Sequence, residues 1–171
     1  MQMFRQPDQR TCGSAVLVRA RMLAEPGYDR WVRGASDPAV RFADEVWRTH
    51  RRTNRLVDET GTWTLPWPRL LGTQPWAVAR DLPGRHRVRP VLDRAAAWAR
   101  LVQAASPVPL YVGDRLLPRH VVLVTASLGE GRLRVYEPSA GASVTVHRHV
   151  FVDTRLRLAG WDQPWFTVTP R

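Results

Sequence analysis

The sequence contains no lysine, so all 26 of its basic residues are arginines. That bias looks like the coding preference of a GC-rich genome, and it changes how the net charge of +11 is read. A basic surplus of this size can mark a nucleic-acid partner. Here the arginines are scattered through every segment. The longest uninterrupted run is Arg51-Arg52, and Arg85 to Arg89 alternates with His86 and Val88. Such arrays are usually solvated faces, so a nucleic-acid partner is not expected. The single cysteine, Cys12, excludes an internal disulfide and a structural zinc site of the multi-cysteine kind. No histidine pair stands beside a carboxylate at metal-ligand spacing, so neither a metal nor another cofactor is expected. The opening residues MQMFRQPDQRTC lack the apolar stretch of a signal peptide. No run approaches the roughly 18 apolar residues that span a membrane. The expected setting is cytoplasmic, with a leaderless export route left open.

What is present is material for a core. The 171 residues fit one domain, expected to run over 1–171, and 44% of them are hydrophobic, including eight Trp. The first two thirds read as helices and the last third as strands. From Cys12 to Leu23 the residues are apolar on nearly all sides, the mark of a buried helix, which Pro26-Gly27 should stop. Ser36-Asp37-Pro38 supplies a cap and a first-turn proline for a second helix to about Arg52, with Ala39, Ala43, Val46 and Trp47 at helical spacing. Thr73 with Pro75 repeats the start signal for a short helix through Ala79. Asp93 precedes another, with Ala97, Trp98, Leu101, Val102 and Ala105 inward. From Pro107 the segments VPLYVG, HVVLVTA, RLRVYEP, SVTVH and WFTVT read as consecutive antiparallel strands with Gly-rich turns between them. Helices first and sheet last gives an α+β fold. Trp63, Pro66, Trp67, Pro68, Gly72 and Trp76 form an irregular aromatic middle, either a connection packed on the core or a substrate groove.

The chemistry-bearing residues sit at the element boundaries. A cysteine attacks as a thiolate, which a helix N-terminus and a neighbouring imidazolium favour. Cys12 lies where the extended arm FRQPDQRT turns into the buried helix. Gly13 and Ser14 are small enough to admit a substrate carbonyl to its first turn, where backbone N–H groups are unpaired. Taken alone, a lone cysteine there is more often an inert small hydrophobe. Gln6 on the arm could donate to a developing oxyanion, with Gln9 as a competing donor. His120 opens the strand HVVLVTA and suits a base facing a cleft. His50, His86, His147 and His149 are weaker candidates, and His147 or His149 could replace it. Glu137 ends the next strand, so the Gly129–Gly131 hairpin should bring it to the same end as His120. There it would accept the imidazole N–H, or else cap the turn at Pro138-Ser139.

Gln6, then five residues, then Cys12-Gly13-Ser14-Ala15, with PRHVVLV around His120 and VYEPSAG around Glu137, resembles the bacteriocin-processing cysteine peptidases. These are papain-like domains that cut leader peptides after a double glycine. The resemblance implies a papain-like fold and amide hydrolysis of a peptide or protein substrate. By position Gln6 would be the oxyanion residue, Cys12 the nucleophile, His120 the base and Glu137 the orienting acid. The family's orienting residue is usually Asp or Asn before Pro, whereas Glu137 stands here. These residues carry no membrane or ATPase part, so double-glycine specificity is not carried over. Two rivals keep the fold: an acyltransferase that passes the acyl group to an amine or thiol, and a non-catalytic module that binds peptides or proteins.

Overall fold

The computed structural model describes residues 3–54 and 73–171, which leaves Trp63, Pro66, Trp67, Pro68 and Gly72 outside the described residues. Helix α1, Cys12–Ala24, is buried over ten residues from Cys12 to Ala20 and at Met22. Its all-round apolarity is explained by what lies on each side. Val16, Leu17 and Ala20 pack on the sheet residues Tyr111, Val121, Leu123 and Val168. Ala15, Val18 and Met22 pack on Phe4, Val32, Phe42 and Val46. A helix held from two sides is a fixed mount for whatever stands at its N-terminus.

Pro26 does end α1, with Glu25 extended at φ −120°, but it also opens a further helix, α2, Pro26–Arg33. Proline suits a first helical position because its missing N–H would be unpaired there anyway. Helix α3, Pro38–Thr53, is capped as expected, with the Asp37 carboxylate accepting from Ala39 N at 2.9 Å and Val40 N at 3.1 Å. Its buried face is Phe42, Val46, Thr49 and Thr53 rather than the stripe through Ala39, Ala43 and Trp47. Phe42 decides the rotation: its ring gains more by burial than two alanine methyls, and it stacks on Phe4 at 4.9 Å. Helix α4, Pro75–Asp81, begins after Gln74, so Thr73 is not its cap. Helix α5, Arg94–Gln103, buries Ala97, Trp98 and Leu101, while Val102 is exposed and Ala105 lies past its end.

The strands are β1 His86–Pro90, β2 Val108–Gly113, β3 Pro118–Gly129, β4 Arg132–Glu137, β5 Ala142–His147 and β6 Gln163–Pro170, with a short helix α6, Arg148–Val152, after β5. They form one sheet in the order β1-β6-β2-β3-β4-β5, antiparallel at every pairing. The sequence pattern located five of the six described strands and missed β1, whose Arg87, Arg89 and Pro90 read as a loop. As an edge strand it tolerates both charge and proline. The last strand, β6, inserts between β1 and β2, a crossover that no local pattern announces. Helices α5 and α6 cover the face opposite α1, where Trp98, Leu101 and Phe151 meet Leu110, Val112, Val122, Val124 and Val135. This α+β architecture is the one expected. No described helix is long and apolar enough to cross a membrane.

Two glycines shape the end of the sheet nearest α1's N-terminus. A Cβ on Gly113 would lie 2.0 Å from Leu117 O, so only glycine lets the β2–β3 connection fold back this tightly. The register there pairs Val112 with His120 but Gly113 with Pro118, which leaves Arg119 as the extra residue of a bulge at the mouth of β3. In α1, a Cβ on Gly13 would lie 2.6 Å from Thr73 Cβ. Gly13→Ala should therefore cost about 1–3 kcal/mol through overpacking and lower Tm by several degrees. Thermal melts check this, and Thr73→Gly in the same chain should restore part of the loss because it removes the opposing atoms.

Candidate active site

Four segments meet at one end of the sheet: the arm before α1, the first turn of α1, the mouth of β3 and the end of β4. Cys12 stands at the first residue of α1, 1% exposed. The first backbone bond at this end runs from Ala15 N to Thr11 O, so the N–H groups of Cys12, Gly13 and Ser14 have no acceptor within the helix. Thr11 does not cap them; its hydroxyl donates to Asp8 O at 3.1 Å instead. The positive end of the helix dipole is thus left to the site. The small residues that follow serve packing rather than substrate entry. Gly13 faces the Thr73 side chain, and Ser14 is fully buried with its Oγ 3.4 Å from Thr73 Oγ1. This corrects the role expected for Gly13 and Ser14.

His120 is buried, and its Nε2 donates to Glu137 Oε1 at 2.7 Å. The hairpin of β3 and β4 makes this pairing, as the strand spacing anticipated. Glu137 is not a simple strand-end carboxylate. Its Oε1 also accepts from Ser139 N at 2.9 Å, and its Oε2 accepts from Ser139 Oγ at 2.8 Å and Ala140 N at 2.7 Å. The two readings of Glu137, partner of the imidazole and cap of the following turn, hold simultaneously. Burial pushes the carboxyl pKa up, but the bonds from His120, Ser139 and Ala140 outweigh it and hold the group at about 2. Burial likewise works against the imidazolium. Hydrogen bonding with Cys12 and with Glu137, together with their charges, wins and raises His120 to about 9. Because Glu137 takes Nε2, Nδ1 is the ring nitrogen left for a second partner.

Gln6 reaches the site through the arm, which is stitched to the turn after β4. Tyr136 Oη donates to Phe4 O at 2.7 Å, Gln6 N to Pro138 O at 2.8 Å, and Arg5 Nε to Ser139 O at 2.6 Å. Gly141, at φ +60°, completes the seam, since a Cβ there would approach Arg5 N at 2.9 Å. The Gln6 side chain is buried; its Nε2 donates to Asp8 O at 2.7 Å, which leaves a second N–H. Its Oε1 has no partner among the described residues. Gln6, Gln9 and His120 line a cleft of about 510 Å³ together with Arg10, Arg119, Ser139, Ala159 and Trp161. Gln9 itself is exposed.

His50 reaches the first turn of α1, its Nδ1 3.5 Å from Ser14 Oγ, whereas His147 lies far along the sheet. His147 pairs with Arg132 across β4 and β5, whereas Ala142 pairs with Glu137. Five strand residues, about 17 Å, therefore separate His147 from the His120 end. His149 lies beside His147, with ring centroids 5.6 Å apart. His50 sits on α3 with Nδ1 near Asn54 Nδ2 at 3.1 Å, and burial lowers its pKa. His86 lies in the edge strand β1. Among the described residues no three His, Cys, Asp or Glu side chains cluster as a metal site. Sequence reasoning missed Tyr136, which holds the arm. A signal existed for Ser139, two residues after Glu137 in a Pro-containing turn; none existed for Tyr136, whose partner is 132 residues away.

No family model matches the sequence, and no curated protein matches it. Solved structures do match. One is the peptidase domain of Streptococcus ComA, a bi-functional ABC transporter involved in a quorum sensing pathway, with TM-score 0.50 and 14% identity over 99% of this chain and 98% of that one. Another is the Pseudomonas avirulence protein AvrPphB, with TM-score 0.50 and 6% identity over 93% of this chain and 89% of that one. At such identities the likeness is one of fold. The papain-like peptidase fold expected from the sequence motifs is the fold found.

The buried pair makes stability depend on pH in a definite way. His120, raised from 6.5 to about 9, stabilises fully below pH 6.5 and loses that contribution as pH rises through about 9. Glu137, lowered from 4.5 to about 2, stabilises fully above pH 4.5 and loses its contribution as pH falls toward about 2. The difference in Tm between the native chain and Glu137→Gln should peak between those limits, near about pH 5.5, and shrink on both sides. Melts from acid to alkaline pH check this. An NMR titration should place the His120 imidazole near 9 in the native chain and lower in Glu137→Gln.

Proposed function

We propose that this chain is a cysteine hydrolase that cleaves amide bonds in a peptide or protein substrate. The observation that carries the proposal is the buried imidazole of His120, bonded to an ionised Glu137 at the edge of a cleft and raised in pKa by both Cys12 and Glu137. A thiolate needs a nearby cation and a dipole of the right sign, and this constellation supplies both. His120, an imidazolium at neutral pH, already holds the proton and pairs with Cys12 as the thiolate, whose sulfur attacks the substrate carbonyl carbon. The carbonyl oxygen becomes an oxyanion that takes hydrogen bonds from the Cys12 backbone N–H and the free N–H of Gln6 Nε2. His120 then protonates the departing amine, and the C–N bond breaks to leave a thioester on Cys12. Water, deprotonated by His120, attacks the thioester; the acid product leaves and the thiol is restored. Glu137 keeps the imidazole oriented through both proton transfers.

One observation favours the non-catalytic reading: the Cys12 side chain is only 1% exposed. The two readings differ in thiol chemistry. Under hydrolysis, Cys12 should react with iodoacetamide at pH 7 faster than a free peptide thiol, and His120→Ala should abolish the advantage; a rate at or below that of the free thiol would leave only a binding module. With internally quenched peptide libraries, Cys12→Ser and His120→Ala should each lower kcat/KM by at least about a thousandfold. Gln6→Ala should lower kcat by about 10²–10³-fold, and a larger loss in Gln9→Ala would move the oxyanion role to Gln9. Turnover that appears only after an amine is added would make the chain an acyltransferase.

A further inference from the structure

Among the described residues, the charged side chains at the cleft surface share one sign: Arg10 and Arg119 line it, and no Asp or Glu does. Each is carried by the element that carries a site residue: Arg10 precedes Cys12 by two positions, and Arg119 immediately precedes His120. They are also differently tethered. Arg119 is the bulge residue of β3, and its Nε donates to Asp114 Oδ2 at 3.1 Å. Asp114 is itself fixed, its Oδ1 accepting from Leu116 N at 2.7 Å and Leu117 N at 2.8 Å. One edge of the Arg119 guanidinium is thereby anchored, while its two Nη groups have no partner among the described residues. Arg10 is exposed; its backbone N–H bonds the Asp8 carboxylate, but its guanidinium has no ion-pair partner among the described residues. Trp161 adds an apolar wall to the same cleft.

We infer that this cleft selects a peptide segment bearing a carboxylate side chain close to the bond presented to Cys12, with Arg10 and Arg119 as the specificity residues. The inference rests on the peptide-processing reading of the site. Guanidinium groups with free N–H pairs match carboxylates in geometry as well as charge. A partly enclosed cleft strengthens that pairing relative to open water, and Asp114, the one carboxylate bonded to Arg119, engages only its Nε and is not among the lining residues. The wider surface of the chain, though also basic, mixes both signs, as in the exposed pairs Arg21–Glu25 and Arg132–Glu130.

The test uses two readouts. Arrays of octapeptides carrying Glu, Gln or Arg at each position in turn are probed with Cys12→Ala protein, so that binding is measured without turnover. The same peptides in internally quenched form are given to the intact chain. Glu at one or two positions should bind about tenfold better than Gln there, and Arg should bind worst. Arg10→Glu and Arg119→Glu should each erase most of that preference. Arg51→Glu, an exposed change of the same charge on α3, should keep it. Equal binding of Glu and Gln peptides overturns the inference, and so does an equal loss in Arg51→Glu, which would assign the preference to the overall field of the chain. Cleavage without acidic preference overturns the inference and leaves the hydrolase reading standing. Acidic binding with no cleavage of any peptide overturns the hydrolase reading and leaves the recognition site.

Discussion

The ionised carboxylate of Glu137 is the constraint on which the site depends. A buried negative charge is tolerated only when donors surround it. Here four donors converge on two oxygens, three from the turn after β4 and one from His120. Removing the imidazole would leave one oxygen short of a charged donor. Removing the turn would leave the carboxylate free to swing or take up a proton. The bond between Glu137 and His120 thus couples the chemistry of the site to the folding of a surface turn. A buried pair of this kind is weak evidence of stability for its own sake, because desolvation offsets much of the attraction. Its worth is positional, since it fixes the orientation of the His120 ring and leaves Nδ1 as the nitrogen not taken by Glu137.

The same turn also holds the opposite wall. Its backbone carbonyls at Pro138 and Ser139 accept from Gln6 N and Arg5 Nε, and Gly141 lets the arm lie close. Tyr136, one residue before Glu137, bonds the arm at Phe4. The site is therefore assembled around five consecutive residues, Glu137 to Gly141, which orient the imidazole on one side and the arm amide on the other. Cys12 joins from α1, which is fixed independently by its burial between the sheet and α3. A core helix carries the thiol and a sheet end carries the imidazole. The arm, which belongs to no helix or strand, is sewn to the sheet end.

How much of this was legible in the sequence depended on the range of the interaction that fixes each feature. Local signals worked: Asp37 and Asp93 cap the helices they were expected to cap, and the β-branched runs mark five strands. The proximity of His120 and Glu137 was legible because a tight Gly129–Gly131 turn sets the register of a hairpin. Long-range competition was not legible. The rotation of α3 is decided by Phe42 finding Phe4, the strand β1 exists because β6 returns to pair with it, and Gly13 is small because Thr73, 60 positions on, fills the space above it. In each case the residue type was visible and its partner was not.

Glu137 shows how a departure from the expected motif can follow from geometry. The resembled peptidases usually place Asp or Asn before the proline, and Glu137 stands there in this chain. In the structure one carboxylate has two tasks: it meets the imidazole across the hairpin and curls back to bond the N–H groups of Ser139 and Ala140. A cap over residues two and three positions on requires the side chain to fold back along its own chain, while the partner on β3 requires reach outward. The extra methylene of Glu allows both, because the oxygens stand farther from the backbone and can span the two directions. A shorter acid at this position would meet His120 or the turn, but would strain to meet both. The glutamate is thus coupled to the Pro138–Gly141 turn that it caps, and through that turn to the arm carrying Gln6.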